Sequence, residues 1–273
     1  MLPFAMFWNL ACVAEDGAGD SEIIEEDTGE FVAPEPEWTA QDAFDRLSLV
    51  SEIPLAGTIL STYRAALAQG DAACPGSDTQ LAGEAMSGCT AESGVTYSGV
   101  ADYAEAEWDD GSGVWAFTSL GADFEITFAD GAVFAGGGSV GAGSETPYSA
   151  VPIWHSRVQG TWLDEASEGP MMEGISSFLD VSGTSDGSSL VLDGGIALSD
   201  LTFRFANVIF SADCGALPTG VVWVRDPDGY WFELDFGATC APCGEVSFNG
   251  GASGEACVDL SPLVDSIWAE LPS

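Results

Sequence analysis

From about residue 94 onward, apolar and polar residues alternate with a period of two, the spacing of side chains on the two faces of a β-strand. In Tyr230–Phe236, four apolar residues share the even positions, while Trp231, Glu233 and Asp235 share the odd ones. The glycine-rich run Gly136–Ser144 lacks this alternation and is predicted to be a flexible loop or a weak strand. Asp-Gly pairs favour tight hairpin turns, which join antiparallel strands. They begin at Asp110, Asp130, Asp186, Asp193 and Asp228.

The alternation predicts a mainly β fold with flanking helices, in which an antiparallel β-meander of about ten strands forms a barrel or a two-layer sandwich. Apolar residues at helical spacing over 39–70 predict two helical segments, capped by Thr39 and Ser51. A last helix is predicted over 261–271, with Ser261 as its cap.

The first twelve residues resemble the end of a bacterial lipoprotein signal. Residues 2–11 are apolar except for Asn9, and the run ends in Leu10-Ala11-Cys12 at the position of the cleavage point. The run is too short to span a bilayer. The resemblance implies export, a lipid on Cys12, and a membrane as partner through that lipid. It also implies a place in the cell envelope, in the periplasm or at the outer-membrane surface.

An acidic segment follows the signal over residues 13–38. Ten acidic residues lie between Glu15 and Glu37 with no basic residue, so the segment cannot bury enough apolar area to order itself. Like charges also extend such a chain. We therefore predict a disordered tether before a single folded domain over 39–273, with antiparallel β-structure over 94–260.

The cysteines are predicted to form three disulfides. Seven are present, and an exported chain with a lipid on Cys12 has six left to pair. One pair encloses a Gly/Ser-rich loop. The cysteines of the other two pairs lie on opposite sides of the predicted Asp228-Gly229 and Asn249-Gly250 hairpin turns, at similar distances from the turn, so that hairpin pairing brings them together. The predicted pairs are Cys74–Cys89, Cys214–Cys240 and Cys243–Cys257, with the exchange of Cys240 and Cys243 as the alternative.

The charge of the chain excludes several classes of partner. It has 44 acidic residues against five arginines and no lysine, which gives a formal net charge of −39. A nucleic-acid binder needs clusters of basic residues on the phosphate backbone, so we predict no nucleic-acid partner. Aromatic residues make up 11% of the chain, which is too many for a wholly disordered acidic protein.

Four patterns in the sequence are candidate sites of chemistry. His155, the only histidine, would be the base of a hydrolase, with the nucleophile in a Gly-x-Ser-x-Gly run at Ser139 or Ser185. The motif requires a helix after the serine, and no helical pattern follows either run.

The acidic turns Asp109–Gly111 and Asp226–Gly229 resemble partial Ca²⁺ sites but are more often plain turns. The Cys-x-x-Cys at Cys240 and Cys243 and a zinc site of Cys214, Cys240, Cys243 and Cys257 are the remaining alternatives.

We therefore predict no catalytic residue, no cofactor and no resident metal. The sequence predicts an exported, lipid-anchored acidic β-domain with a binding or structural role at a bacterial envelope, whose partner beyond the membrane is a small ligand or a protein. The alternatives are a hydrolase that uses His155 and a Ca²⁺-binding module.

The net charge also predicts a salt-dependent fold. Thirty-four acidic residues lie outside the tether, and most of them have no basic partner available. Salt near 1 M shortens the Debye length to about 3 Å and screens this repulsion. Seawater salt should raise the melting temperature by about 3 °C or more over low salt, measured by circular dichroism. This charge leads to the hypothesis of a saline or marine source, which a melting temperature that does not rise would contradict.

Overall fold

Thirteen strands, paired in chain order, form one antiparallel sheet in the part of the chain that the structure describes. This computed structural model describes residues 35–78, 83–148, 151–165, 172–183, 189–198, 200–214 and 217–270. The strands are β1 (Gly76–Asp78), β2 (Gly83–Thr90), β3 (Thr96–Asp109), β4 (Gly113–Thr127), β5 (Val133–Pro147), β6 (Ile153–Asp164), β7 (Met172–Gly183), β8 (Ser189–Leu198), β9 (Leu201–Ser211), β10 (Pro218–Arg225), β11 (Trp231–Asp235), β12 (Cys243–Phe248) and β13 (Gly251–Cys257). The predicted mainly β fold with an antiparallel meander is confirmed.

The sheet is open, because its described hydrogen bonds leave β1 and β13 at the two edges, and it is not closed into a barrel. Helices cover part of one face. α1 (Ala40–Asp45) packs against β13, and α2 (Ala56–Leu67) packs against β4, β5 and β6. A short 3₁₀ helix (Arg46–Glu52) contacts α3 (Ser261–Glu270). Among the described helices, none has the length and apolar character needed to cross a bilayer.

The two faces of the sheet differ in burial. Leu120, Val140 and Val158 are cross-strand neighbours on β4, β5 and β6, and each is at most 3% exposed. They mark the inner face, on which α2 packs. The opposite side, which we call the outer face, carries Phe117 and Phe178 at 41% and 50% exposure. Burial of one face explains why the alternation of period two is so regular in this sequence.

The helix starts depend on both local and distant hydrogen bonds. Thr39 caps α1 as predicted, in a capping box with Asp42. The predicted cap at Ser51 is wrong, because Ser51 lies in the 3₁₀ helix and its hydroxyl donates to the Ser48 carbonyl at 2.7 Å. The α2 helix begins at Ala56 instead, and the group that caps it is distant along the chain. The predicted last helix is present as α3, which begins at Ser261; residue 271 lies outside the described residues.

The glycine-rich run Gly136–Ser144 is part of β5 and pairs with β4 and β6, so of the two predicted alternatives the strand is confirmed and the loop is wrong. Gly138 and Gly160 face each other across β5 and β6 with φ of 151° and 112°. A Cβ at Gly138 would lie 2.1 Å from the Gln159 carbonyl oxygen. Glycine is needed there because the two backbones approach too closely for a side chain.

Six cysteines form three pairs at disulfide distance. Cα atoms lie 5.7 Å apart in the first pair, 5.4 Å in the second and 3.9 Å in the third. These are the three predicted pairs, namely Cys74–Cys89, Cys214–Cys240 and Cys243–Cys257. Cys12 and residues 13–34 of the predicted tether lie outside the described residues, so the lipid anchor stays a prediction.

Candidate functional site

A cavity of about 330 Å³ lies between the inner face of the sheet and the helices α2 and α3. Leu55, just before α2, and Ile267 of α3 line its helical side. Ala142, Trp154 and Val181 line it from β5, β6 and β7. Proteins bind small molecules in mainly apolar clefts of about 300–1,000 Å³, so this inner cavity is the leading candidate for a ligand site.

The position of α2 above β6 creates the inner cavity. The Ala56 N–H donates to the Ser156 hydroxyl of β6 at 3.0 Å, which caps the helix from the sheet. Farther along, the Thr62 hydroxyl donates to Asp164 at 3.1 Å. The small side chain of Ala142 lies on the inner face of the adjacent strand β5 and leaves the space between helix and sheet unfilled.

Arg64 of α2 is the charged residue at the inner cavity. Its guanidinium donates to the Tyr103 hydroxyl and to the Glu105 carboxylate, and more weakly to the Thr118 hydroxyl at 3.4 Å. Hydrogen bonds from Tyr103 and Arg64 hold the pKa of Glu105 below its ordinary value. Glu105 is therefore ionised at neutral pH, and the ion pair neutralises the arginine.

His155 lies on the outer face, within a cluster of charged side chains. Its Nδ1 is 2.8 Å from Asp180 Oδ1, and its Nε2 is 3.9 Å from Glu145. Arg157 donates to the same Asp180 oxygen at 2.6 Å. Burial raises the pKa of Asp180, but the hydrogen bonds from His155 and Arg157 outweigh it and hold that pKa below its ordinary value.

The structure does not bring His155 and Ser139 together. Ser139 pairs with Gln159, four residues along β6 from His155, which corresponds to roughly 13 Å at the rise of a strand. That distance is too long for a base to take a proton from the hydroxyl. Ser185 lies outside the described residues. The side-chain hydrogen bond described for His155 joins it to Asp180 and not to a serine hydroxyl.

The predicted acidic turns are held by their own hydrogen bonds. Asp109 and Asp110 accept from the N–H groups of Gly111 and Ser112 at 2.7 and 2.8 Å. Asp226 likewise accepts from the Tyr230 N–H at 2.7 Å. These are the contacts of carboxylates that stabilise turns, so the geometry favours turns over Ca²⁺ ligands.

One group of metal-binding atoms occurs in the described residues. Ligand atoms of Cys243, Glu255 and Cys257 lie within 4.8 Å of one another. The two sulfurs are already paired with each other, and Cys214 pairs with Cys240. A paired sulfur is not the thiolate that zinc requires, so the geometry favours disulfides over the zinc site.

All five arginines of the chain lie over aromatic rings, an arrangement that the sequence did not indicate. Because the partners are distant along the chain in most cases, only the folded sheet brings them together. The pairs are Arg46 with Trp38, Arg64 with Tyr103, Arg157 with Phe178, Arg204 with Trp223 and Arg225 with Trp231.

Comparison with protein-family models, with curated proteins and with solved structures finds no match to this chain. Its function is therefore argued from its own geometry.

The Asp180 cluster predicts a stability that depends on pH. A carboxyl whose pKa is lowered by folding stabilises the fold above its ordinary pKa of 3.8, and this contribution is lost as the pH falls through its pKa in the folded state. Asp180→Asn should lower the melting temperature at pH 7 by up to about 3 °C, since a partly exposed pair is worth roughly 0.2–1 kcal/mol.

The difference between Asp180→Asn and the wild type should shrink towards pH 3, measured by thermal denaturation. Asp102→Asn is the matched control, because Asp102 is exposed on β3 and loses the same charge. An equal effect of the two substitutions at pH 7 would mean that the cluster adds no stability.

Proposed function

We propose that this chain is a binding module of the bacterial envelope, exported and held by a lipid on Cys12, that takes a small, mainly apolar ligand into the inner cavity. The observation that supports this most directly is the cavity of about 330 Å³ between α2, α3 and the inner face. The cavity has apolar walls and a few hydroxyl groups, which is the composition of small-molecule sites.

The charge of the chain restricts the ligand. A net charge of −39 repels anions, and the one arginine at the inner cavity is already paired with Glu105. An anionic ligand would have to displace that carboxylate. We therefore propose an uncharged or cationic ligand whose apolar part lies against Ala142 and Trp154.

Binding accounts for the described side chains better than hydrolysis does. His155 is among the residues that line the inner cavity, but its ring is paired with Asp180 and Glu145 on the outer face. A hydrolase would need a nucleophile within hydrogen-bond reach of His155, and Ser139 is too distant. The hydrolase and the Ca²⁺-binding module are therefore not proposed.

The inner cavity is tested with N-phenyl-1-naphthylamine, an uncharged probe that fluoresces in apolar surroundings. The folded domain should bind it saturably. Ala142→Phe should weaken binding at least about tenfold, because the new ring occupies the space beside Trp154. Ser139→Phe is the control, since Ser139 is exposed on the outer face of the same strand.

Both variants should be checked by thermal denaturation, so that lost binding is not mistaken for lost folding. Absence of saturable binding to the wild type, or equal binding to the two variants, would contradict the inner cavity as the ligand site.

The anchor is tested by intact-mass analysis of the protein made in its native host. The mature chain should begin at a lipid-modified Cys12, and the other six cysteines should contain no free thiol. In Cys12→Ser, the lipid mass should be lost and the chain should leave the membrane fraction. A cytosolic chain that keeps residues 1–11 and has reduced thiols would contradict the proposed export.

A further inference from the structure

A second cavity, of about 230 Å³, lies on the outer face over β9 to β12. It is on the opposite face from the inner cavity and shares no lining residue with it. We call it the outer-face site. Its side chains are aromatic, charged, amide and hydroxyl groups, and they come from the neighbouring strands β9 to β12 and from the turn after β12. They are Arg204, Trp223, Trp231, Glu233, Ser247 and Asn249.

Two indole rings form the body of the outer-face site. Trp223 and Glu233 are directly opposite each other on β10 and β11, and the Trp223 Nε1–H donates to the Glu233 carboxylate at 2.8 Å. The guanidinium of Arg204 lies 5.2 Å from the centre of the Trp223 ring. Both contacts hold the indole in place, so its orientation is set before any ligand arrives.

Arg204, like Arg46 and Arg225, makes no ion pair with a described carboxylate. Two of the described arginines, Arg64 and Arg157, make ion pairs with carboxylates. No described carboxylate lies within 4.0 Å of the Arg204 guanidinium, although the chain has 44 acidic residues. Arg204 therefore lines the site without a carboxylate acceptor from the described residues.

We propose that the outer-face site binds one sugar ring of a glycan. A pyranose ring has C–H groups with partial positive charge that pack on the negative face of an indole, here Trp223 or Trp231. Its hydroxyls both donate and accept. Arg204 and Asn249 supply donors, and Glu233 supplies a carboxylate acceptor.

Other ligand classes fit the same groups less well. An anion would meet Glu233 in the site and a net charge of −39 around it. A cation would meet Arg204. A purely apolar ligand would cover both charged groups and leave Arg204 without an acceptor and Glu233 with only the Trp223 N–H, which is unfavourable. A neutral ring with many hydroxyls avoids all three penalties.

The experiment is isothermal titration calorimetry of the folded domain with soluble oligosaccharides of glucose, N-acetylglucosamine, galactose and mannose. At least one should bind with a Kd below about 1 mM. Trp231→Ala and Glu233→Gln should each weaken binding at least about tenfold, because the first removes a stacking surface and the second removes the charged acceptor. Glu233→Gln preserves the shape of the side chain, so it keeps the test valid if Trp231→Ala fails to fold.

Trp268→Ala and Glu107→Gln are the matched controls, since both residues are exposed and neither lines the outer-face site. They should bind the sugar as the wild type does. The proposal is overturned if no oligosaccharide binds, or if Glu233→Gln and Arg204→Gln bind as tightly as the wild type. It is also overturned if Ala142→Phe abolishes sugar binding and Glu233→Gln does not, because the sugar would then occupy the inner cavity. The two sites can therefore fail independently.

Discussion

The α2 helix crosses the inner face of the sheet, and the buried ring of Tyr63 packs against the rings of Tyr103 and Phe124. The Tyr97 hydroxyl, also buried, donates to the Ala66 carbonyl near the end of the same helix at 2.7 Å. These contacts remove apolar surface from water and leave the buried hydroxyl of Tyr97 with a hydrogen-bond partner. A chain with so few cations cannot rely on ion pairs, so burial of the inner face is the interaction on which the fold depends.

The scarcity of cations also determines where positive charge lies on the outer face. Guanidinium groups are more weakly hydrated than ammonium groups and stack well on aromatic rings, which suits a chain that contains arginine and no lysine. Arg157 sits over Phe178 and also bonds to Asp180, while Arg204 sits over Trp223. The positive charge of the outer face is therefore concentrated beside aromatic rings. Both proposed binding sites follow from this division, with an apolar cavity on one face and a polar aromatic site on the other.

Local patterns predicted the parts of the structure that depend on neighbouring residues. The alternation around Trp231 and Glu233 is that of β11, and the capping box at Thr39 and Asp42 begins α1. The loop and turn patterns also predicted the cysteine pairs observed, because pairing across a short loop or a hairpin depends on residues that are close in the sequence. Where the sequence misled, the cause was distant in the chain. Ser51 satisfies the rules for a cap, but α2 takes its cap from Ser156.

The period of two and the Asp-Gly turns at Asp110, Asp130 and Asp228 determined that this chain forms an antiparallel meander, because strand pairing through short turns is decided by adjacent residues. The predicted turn at Asp193 is wrong, because Asp193 and Gly194 lie inside β8, where the pairing with β9 shifts register. The tertiary structure alone decided that the sheet stays open and that Gly136–Ser144 is a strand rather than a loop, where the close approach of Gly138 to β6 leaves no room for a Cβ. It also decided both candidate sites. Helix packing brings Leu55 to Ala142 in the inner cavity, and sheet register brings Arg204 to Glu233 in the outer-face site. Neither arrangement can be predicted from the spacing of residues along one strand.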